Sequence, residues 1–114
     1  MPYLKLETNQ NPSPESLQQH LKTLSEGVAE ILGKPENYVM IALETAKPMF
    51  FAGNDQPAAF VELKSLGLPE EQTTSFSCAL CQLIETQMGI KKDRIYIEFS
   101  GPARHMWGWN GKTF

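Results

Sequence analysis

The strongest constraint in this sequence is a pattern of strand, helix and strand that occurs twice along the chain. Gly33 and Gly89 each end a stretch with helical periodicity, and each is followed by a strongly apolar stretch. Val39 and Ile95, which lie in those apolar stretches, are separated by the same interval as the two glycines. A strand-helix-strand unit favours parallel strands joined by a right-handed crossover. Two such units predict a four-stranded sheet with both helices on one face.

The first unit begins at residues 3–7, where apolar and polar side chains alternate as they do in a strand. Ser13 followed by Pro14 is typical of a helix start, and Gly33 is typical of a helix end. Between them, apolar residues recur every three or four positions, at Leu17, Leu21, Leu24, Val28 and Ile31. Residues 38–43 are apolar on both faces, which predicts a central strand.

The second unit follows a loop at residues 47–57, which is rich in turn-forming residues. It comprises a strand at 59–63, a helix that opens at Pro69 and a strand at 95–99. Asn110 and Gly111 then stand between aromatic residues, as in a two-residue hairpin. We therefore predict an α+β fold of two duplicated β-α-β units, with a four-stranded mixed sheet, two helices on one face and short C-terminal hairpin strands.

One face of the predicted sheet has no helix to cover it. Met40 and Ala42 point to that face, and a large apolar sheet surface is normally an interface, so we expect an oligomer. A chain of 114 residues has the length of one domain, which we place at 1–114. The two cysteines are too few for a disulfide-stapled secreted fold, so packing must hold the chain together.

Charge and hydropathy exclude two classes of partner. The net charge of −3 provides no basic surface for a phosphate backbone, so we expect no nucleic acid. No apolar stretch approaches the roughly 20 residues that span a bilayer, and the first residues lack the pattern of a signal peptide. We therefore expect a cytoplasmic protein without a membrane partner.

Pro2 is the first candidate for chemistry. Methionine is generally removed ahead of a small second residue, proline included, and its removal turns the Pro2 nitrogen from an amide into a secondary amine. An α-amino group has a pKa of about 7.7 to 8.0, which burial or a nearby cation lowers. A neutral base is then available near pH 7. On Met1 and Pro2 alone, the alternative is a terminal residue that only starts a strand.

The chain resembles the macrophage migration inhibitory factor family. Several separate motifs carry this resemblance, and they occur in the same order over essentially the whole chain. Besides Met1-Pro2 ahead of a strand, they are Gly33-Lys34-Pro35-Glu36-Asn37-Tyr38-Val39, Asp93-Arg94-Ile95-Tyr96-Ile97, Gly108-Trp109-Asn110 and Thr113-Phe114. The resemblance implies the duplicated fold, a homotrimer that covers the bare sheet face, and keto-enol tautomerisation of phenylpyruvate-like or dopachrome-like acids. It implies no metal or organic cofactor, and it allows secretion without a leader.

The resemblance also implies roles for single residues. Pro2 is the general base and acid, and Lys34 binds the substrate carboxylate and helps keep the amine neutral. Ser65 and Leu66 lie where a backbone N–H is expected to contact the substrate oxygen. Tyr96 matches the family's pocket tyrosine. Tyr96 and Glu98 share one face of their strand, so both can project toward a neighbouring subunit. From spacing alone, Lys34 is equally well explained as a lysine at a helix C-terminus.

Four further residues bear on the chemistry of the expected pocket. Glu98 stands where well-known members carry asparagine, and an acid there would repel an acidic substrate or shift its position. Trp107 replaces a smaller aliphatic residue at the pocket mouth, while Trp109 and Phe114 match the aromatic C-terminal elements of the family. These replacements predict a narrower, more aromatic pocket. The alternative for the aromatic residues is hairpin and interface packing.

Two other functions stay open on the sequence. The first is a cytokine-like module that binds a protein receptor and retains the pocket without using it. The second is a thiol oxidoreductase, suggested by Cys78 and Cys81 in a Cys-x-x-Cys spacing. The family's own redox motif lies on the third strand, where this chain has Ala58 and Val61, so that assignment does not transfer. We expect two reduced cysteines in the middle of the second helix.

Overall fold

Two β-α-β units follow one another in the computed structural model, which describes residues 1–114. The elements are β1 (Tyr3–Thr8), α1 (Pro14–Leu32), β2 (Met40–Glu44), β3 (Ala59–Lys64), α2 (Thr73–Met88), β4 (Ile95–Ser100), β5 (Gly108–Trp109) and β6 (Lys112–Thr113). Short 3₁₀ turns precede β2, α2, β4 and the C-terminal hairpin. The predicted duplication is confirmed. The second helix begins later than predicted, because the residues after Pro69 form the 3₁₀ turn Glu70–Gln72 before α2 starts.

The main sheet has four strands in the order β2-β1-β3-β4. Each unit contributes a parallel pair, β1 with β2 and β3 with β4, and the units join through antiparallel pairing of β1 with β3. In that central pair Tyr3 lies opposite Lys64 and Thr8 lies opposite Ala59. The predicted mixed sheet is thus confirmed.

The prediction of a central strand at residues 38–43 is wrong for the single chain. β2 begins at Met40 and lies at an edge of the sheet, while Tyr38 belongs to the 3₁₀ turn Glu36–Tyr38. The reason is that the units join through their first strands, which leaves the second strand of each unit outside. The side chain of Met40 is 64% exposed, and the strand has one free edge.

Both helices pack on one face of the sheet, as predicted. The core lies between the helices and the sheet. It combines Leu4, Leu6, Val61 and Leu63 from the sheet with Leu24, Val28, Leu80 and Ile84 from the helices. Full burial of such side chains contributes about 1.5 to 3 kcal/mol each to folding. The cap of α1 is built as expected, since the Ser13 Oγ accepts a hydrogen bond from the Ser16 N–H at 3.2 Å.

The other sheet face carries many charges, so the expectation of a large apolar surface is wrong. Its outward side chains include Lys5, Glu7, Glu44, Glu62, Lys64 and Glu98, beside Tyr3, Met40, Ala42, Phe60 and Tyr96. Lys47 donates hydrogen bonds to both Glu7 and Glu44, and this contact lowers the pKa of the Glu44 carboxyl. Neither helix has the length and hydropathy needed to cross a membrane.

The C-terminal residues form the predicted hairpin, in which β5 pairs with β6 of the same chain. Asn110 and Gly111 both have positive φ, at 53° and 75°, as a tight type I′ turn requires. The hairpin lies after the second unit and is not part of the main sheet. Its aromatic side chains reach back to the start of the chain, where the candidate site lies.

Candidate functional site

Pro2 lies at the start of β1 and is fully buried. Its carbonyl oxygen accepts a hydrogen bond from the Met40 N–H at 3.0 Å, which fixes the chain start against β2. Pro2 lines a cavity of about 560 Å³. This volume is within the range of roughly 300 to 1,000 Å³ that small-molecule sites occupy. A free Pro2 nitrogen would therefore be at a cavity large enough for an organic acid.

Five aromatic side chains form the aromatic wall of this Pro2 cavity: Tyr3, Tyr38, Trp107, Trp109 and Phe114. The ring of Tyr38 meets Trp109 edge-on at 5.5 Å between centroids, and Trp109 stacks on Phe114 at 5.9 Å. The Phe114 N–H donates to the Trp107 carbonyl at 3.3 Å, which closes the hairpin on itself. The arrangement suits a flat, unsaturated ligand, because offset and edge-on contacts between aromatic rings are favourable.

The terminal amine lies in surroundings that favour its neutral form. In the unprocessed chain this amine belongs to Met1, and its pKa is lowered first by burial and second by the charge of Lys34. Lys34 follows Gly33, whose φ of 64° ends α1, and the Lys34 N–H donates to the Ala29 carbonyl at 3.0 Å. The helix end thus fixes the backbone of the lysine whose charge acts on the amine.

Lys34 and Ser65 line a neighbouring cavity of about 390 Å³. The Ser65 N–H is already used, since it donates to the Ser100 carbonyl at 3.0 Å. The Leu66 N–H, by contrast, donates to no backbone or side-chain acceptor of the chain. Because buried N–H groups are normally hydrogen-bonded, the Leu66 N–H is the better candidate of the two for contact with a substrate oxygen.

Tyr96 and Glu98 do not meet Pro2 within one chain. Both project from β4, the edge strand at the other side of the sheet from β2. Tyr96 is 59% exposed and packs its ring on Phe51 at 4.8 Å, and Glu98 lies opposite Glu62 in the register of β3 and β4. Their projection toward a neighbouring subunit therefore stays a prediction.

Several residues line the cavity that the sequence analysis did not assign to it, and Tyr38 and Lys64 are the most informative of them. Tyr38 was interpreted as part of a strand, but the 3₁₀ turn places its ring against Trp109. Lys64 ends β3 and lines the cavity beside Pro2. The position of Lys64 was partly predictable from the sequence, because the alternation of residues 59–64 places its side chain on the sheet face without helices.

The cysteines lie away from this site. Cys78 and Cys81 are free thiols in the middle of α2, as predicted, and they line an open groove of about 840 Å³ that Pro2 does not reach. Burial raises the pKa of the Cys81 thiol, which disfavours the nucleophilic thiolate. No three His, Cys, Asp or Glu side chains are grouped so that they could hold a metal ion.

Comparison with known proteins agrees with this geometry. Residues 1–114 match the family model of macrophage migration inhibitory factor (MIF). A macrophage migration inhibitory factor homolog of Brugia malayi is 36% identical over 115 residues, covering 100% of this chain and 99% of that protein. The crystal structure of a macrophage migration inhibitory factor homologue from Prochlorococcus marinus is 41% identical with a TM-score of 0.88, covering 98% of both chains. That of the Trichinella spiralis factor is 33% identical with a TM-score of 0.88, covering 98% of this chain and 99% of the other.

Proposed function

Because this chain belongs to the macrophage migration inhibitory factor family, we propose that it is a keto-enol tautomerase acting on phenylpyruvate-like acids. One observation carries the proposal: the chain start, with Pro2 fully buried, lines an aromatic cavity in which the terminal amine has a lowered pKa. A base needs a pKa near the working pH to accept and return a proton efficiently. After removal of Met1, the secondary amine of Pro2 would lie close to the same burial and the same lysine, which supports its proposed role as the base.

The chemistry needs one group that moves a proton in both directions. The neutral Pro2 nitrogen takes a proton from the carbon beside the keto group, and the C–H electron pair forms the carbon–carbon double bond. The carbonyl electron pair moves to the keto oxygen, and the protonated amine then delivers a proton to that oxygen. The product is the enol, and the reverse sequence returns the keto acid.

Two further groups would stabilise the charges of this reaction. The Lys34 ammonium, whose charge lowers the pKa of the Met1 amine in the unprocessed chain, would pair with the substrate carboxylate and favour the neutral form of the Pro2 amine. The Leu66 N–H, which has no partner in the chain, donates to the keto oxygen as negative charge develops there. The aromatic wall packs against the substrate ring. Trp107 and Phe114 belong to that wall.

We also propose that the domain, residues 1–114, works as a homotrimer. In this arrangement Tyr96 and Glu98 of one protomer reach the Pro2 cavity of the next. Two observations support the proposal: β2 and β4 both leave an edge free, and Tyr96 is exposed far from the Pro2 of its own chain. A cyclic assembly would place the β4 edge of one protomer beside the β2 edge of another.

Substitution of Pro2 tests the activity. Intact mass first establishes that Met1 is absent, because a retained Met1 leaves Pro2 as an amide without basicity. We expect the processed protein to tautomerise phenylpyruvate, and Pro2→Gly to lose about 100-fold or more in kcat, the usual contribution of a general base. Pro12→Gly, ahead of α1, is the matched control. Full activity in Pro2→Gly would exclude the mechanism, and no turnover in the processed wild type would favour a protein-binding role.

A further inference from the structure

The Pro2 cavity contains a lysine that the proposed mechanism does not use. Lys64 lines this cavity together with Pro2, Tyr38 and Trp109. In the pairing of β1 with β3 it lies opposite Tyr3, the residue after Pro2. Opposite residues of an antiparallel pair have Cα atoms about 5 Å apart. Lys64 therefore lies beside the residue that follows Pro2, and its side chain is on the sheet face without helices.

Lys64 is an unpaired cation. Glu62 lies two residues earlier on the same face, and Glu98 lies diagonally across on β4. Despite these carboxylates, Lys64 makes no ion pair, since every ion pair of the chain involves Lys5 or Lys47. In the single chain its side chain is exposed at the cavity. Lys5 and Lys47 are paired with Glu7 and Glu44, whereas Lys64 has no carboxylate partner within the chain.

Lys64 and Lys34 have different relations to the amine. Lys34 lowers the pKa of the terminal amine, whereas Lys64 is not among the causes of that shift. One cation therefore acts on the amine from the neighbouring cavity, and a second one lies in the wall of the Pro2 cavity itself. A ligand that uses both must carry two acidic groups on an apolar body.

We propose that Lys64 binds a second acidic group of the substrate, so that the preferred substrates are 2-keto acids with an unsaturated body and an additional carboxylate. This inference rests on the proposed function, in which Lys34 binds the carboxylate beside the keto group. The cavity of about 560 Å³ has space for a substituent beyond a phenyl ring. The ammonium of Lys64 supplies the attraction, and the aromatic wall excludes water from the ligand body.

Kinetics with two substrates test the inference. The processed enzyme is assayed on phenylpyruvate, a monoanion, and on 4-carboxyphenylpyruvate, a dianion. We expect Lys64→Gln to lower the ratio of the dianion's kcat/KM to that of phenylpyruvate about three- to fivefold, through KM rather than kcat. The ratio should be retained in Lys64→Arg and in the control Lys22→Gln, an equal charge change on the exposed side of α1. The wild-type preference should weaken as salt is added.

A binding measurement separates this inference from the proposed activity. Quenching of Trp107 and Trp109 fluorescence reports occupancy of the cavity without turnover. Terephthalate should bind several-fold more tightly than 4-methylbenzoate, and Lys64→Gln should remove the difference. That result would support the anion site even in a protein that turns over no phenylpyruvate, where the proposed activity alone would fail. Equal binding of both acids, or an unchanged difference in Lys64→Gln, would overturn the inference.

Discussion

At the scale of single residues, the buried chain start and Lys34 together favour a neutral terminal amine. Burial disfavours the charged ammonium, and the positive charge of Lys34 adds to that effect. Both lower the pKa of the amine in the folded protein. The same amine in an unfolded chain would keep its ordinary value and carry more charge near pH 7.

Replacement of Lys34 tests its electrostatic role. Lys34→Met removes the second of the two causes and leaves burial, so the pKa of the amine should rise toward its ordinary value. The ascending limb of kcat/KM against pH, which reports the free enzyme, should then move to higher pH. Lys22→Met is the control, because Lys22 is exposed on α1 and is not among the causes of the shift. A rise in KM without movement of that limb would assign Lys34 to carboxylate binding alone.

At the scale of elements, the loop between β2 and β3 is anchored by one arginine. Arg94 ends the 3₁₀ turn directly before β4. The Arg94 guanidinium donates to the carbonyl oxygens of Phe51, Gln56 and Pro57 at 2.9 to 3.1 Å. It also lies 5.2 Å from the centroid of the Phe51 ring, which in turn packs on Tyr96. The loop therefore fixes the exposed Tyr96 that the proposed assembly requires.

Loss of these contacts should loosen the loop and reduce stability. We expect Arg94→Gln to lower the free energy of unfolding by about 1 to 2 kcal/mol, since several partly exposed hydrogen bonds to a charged donor are lost. Denaturant unfolding measures the change. Amide hydrogen exchange at Asn54, whose N–H donates to the Phe51 carbonyl at 3.2 Å, should accelerate. Lys91→Gln makes the same charge change nearby, and an equal loss there would contradict a specific role for Arg94.

At the scale of the whole molecule, the candidate site is divided between the two edges of the sheet. The Pro2 cavity includes Met40 at the start of β2, while Tyr96 and Glu98 lie on β4. The Pro2 cavity of one protomer therefore contains the proposed base and the aromatic wall, but neither of the two β4 residues of the same chain. If those residues bind substrate, they must come from another copy.

Mixed assemblies test this division. Pro2→Gly and Tyr96→Ala should each be impaired, and equal amounts refolded together should recover activity at sites that combine an intact Pro2 with an intact Tyr96. Random mixing predicts about a quarter of the sites to be of this kind. Each variant refolded alone is the control, and sedimentation equilibrium establishes that trimers have formed. Trimers without any recovered activity would show that each chain completes its own site.

Local periodicity in the sequence was sufficient to predict the helices, most of the strands and their duplication. The repeat of Leu24, Val28 and Ile31, and the alternation at residues 3–7, depend only on neighbours along one element. The turn at Asn110 and Gly111 was predictable for the same reason, because positive φ is a property of the local residues. Pro2 and Lys34 were indicated by the resemblance of the whole chain.

Which elements meet was decided only by the tertiary structure. The sequence placed residues 38–43 in a central strand, but pairing between β1 and β3 leaves β2 at an edge. The same pairing brings Lys64 beside the chain start, and a 3₁₀ turn brings Tyr38 against Trp109. Side-chain period tells which face of one strand a residue occupies. It contains no information on the neighbouring strand, since that choice depends on how distant segments share one core.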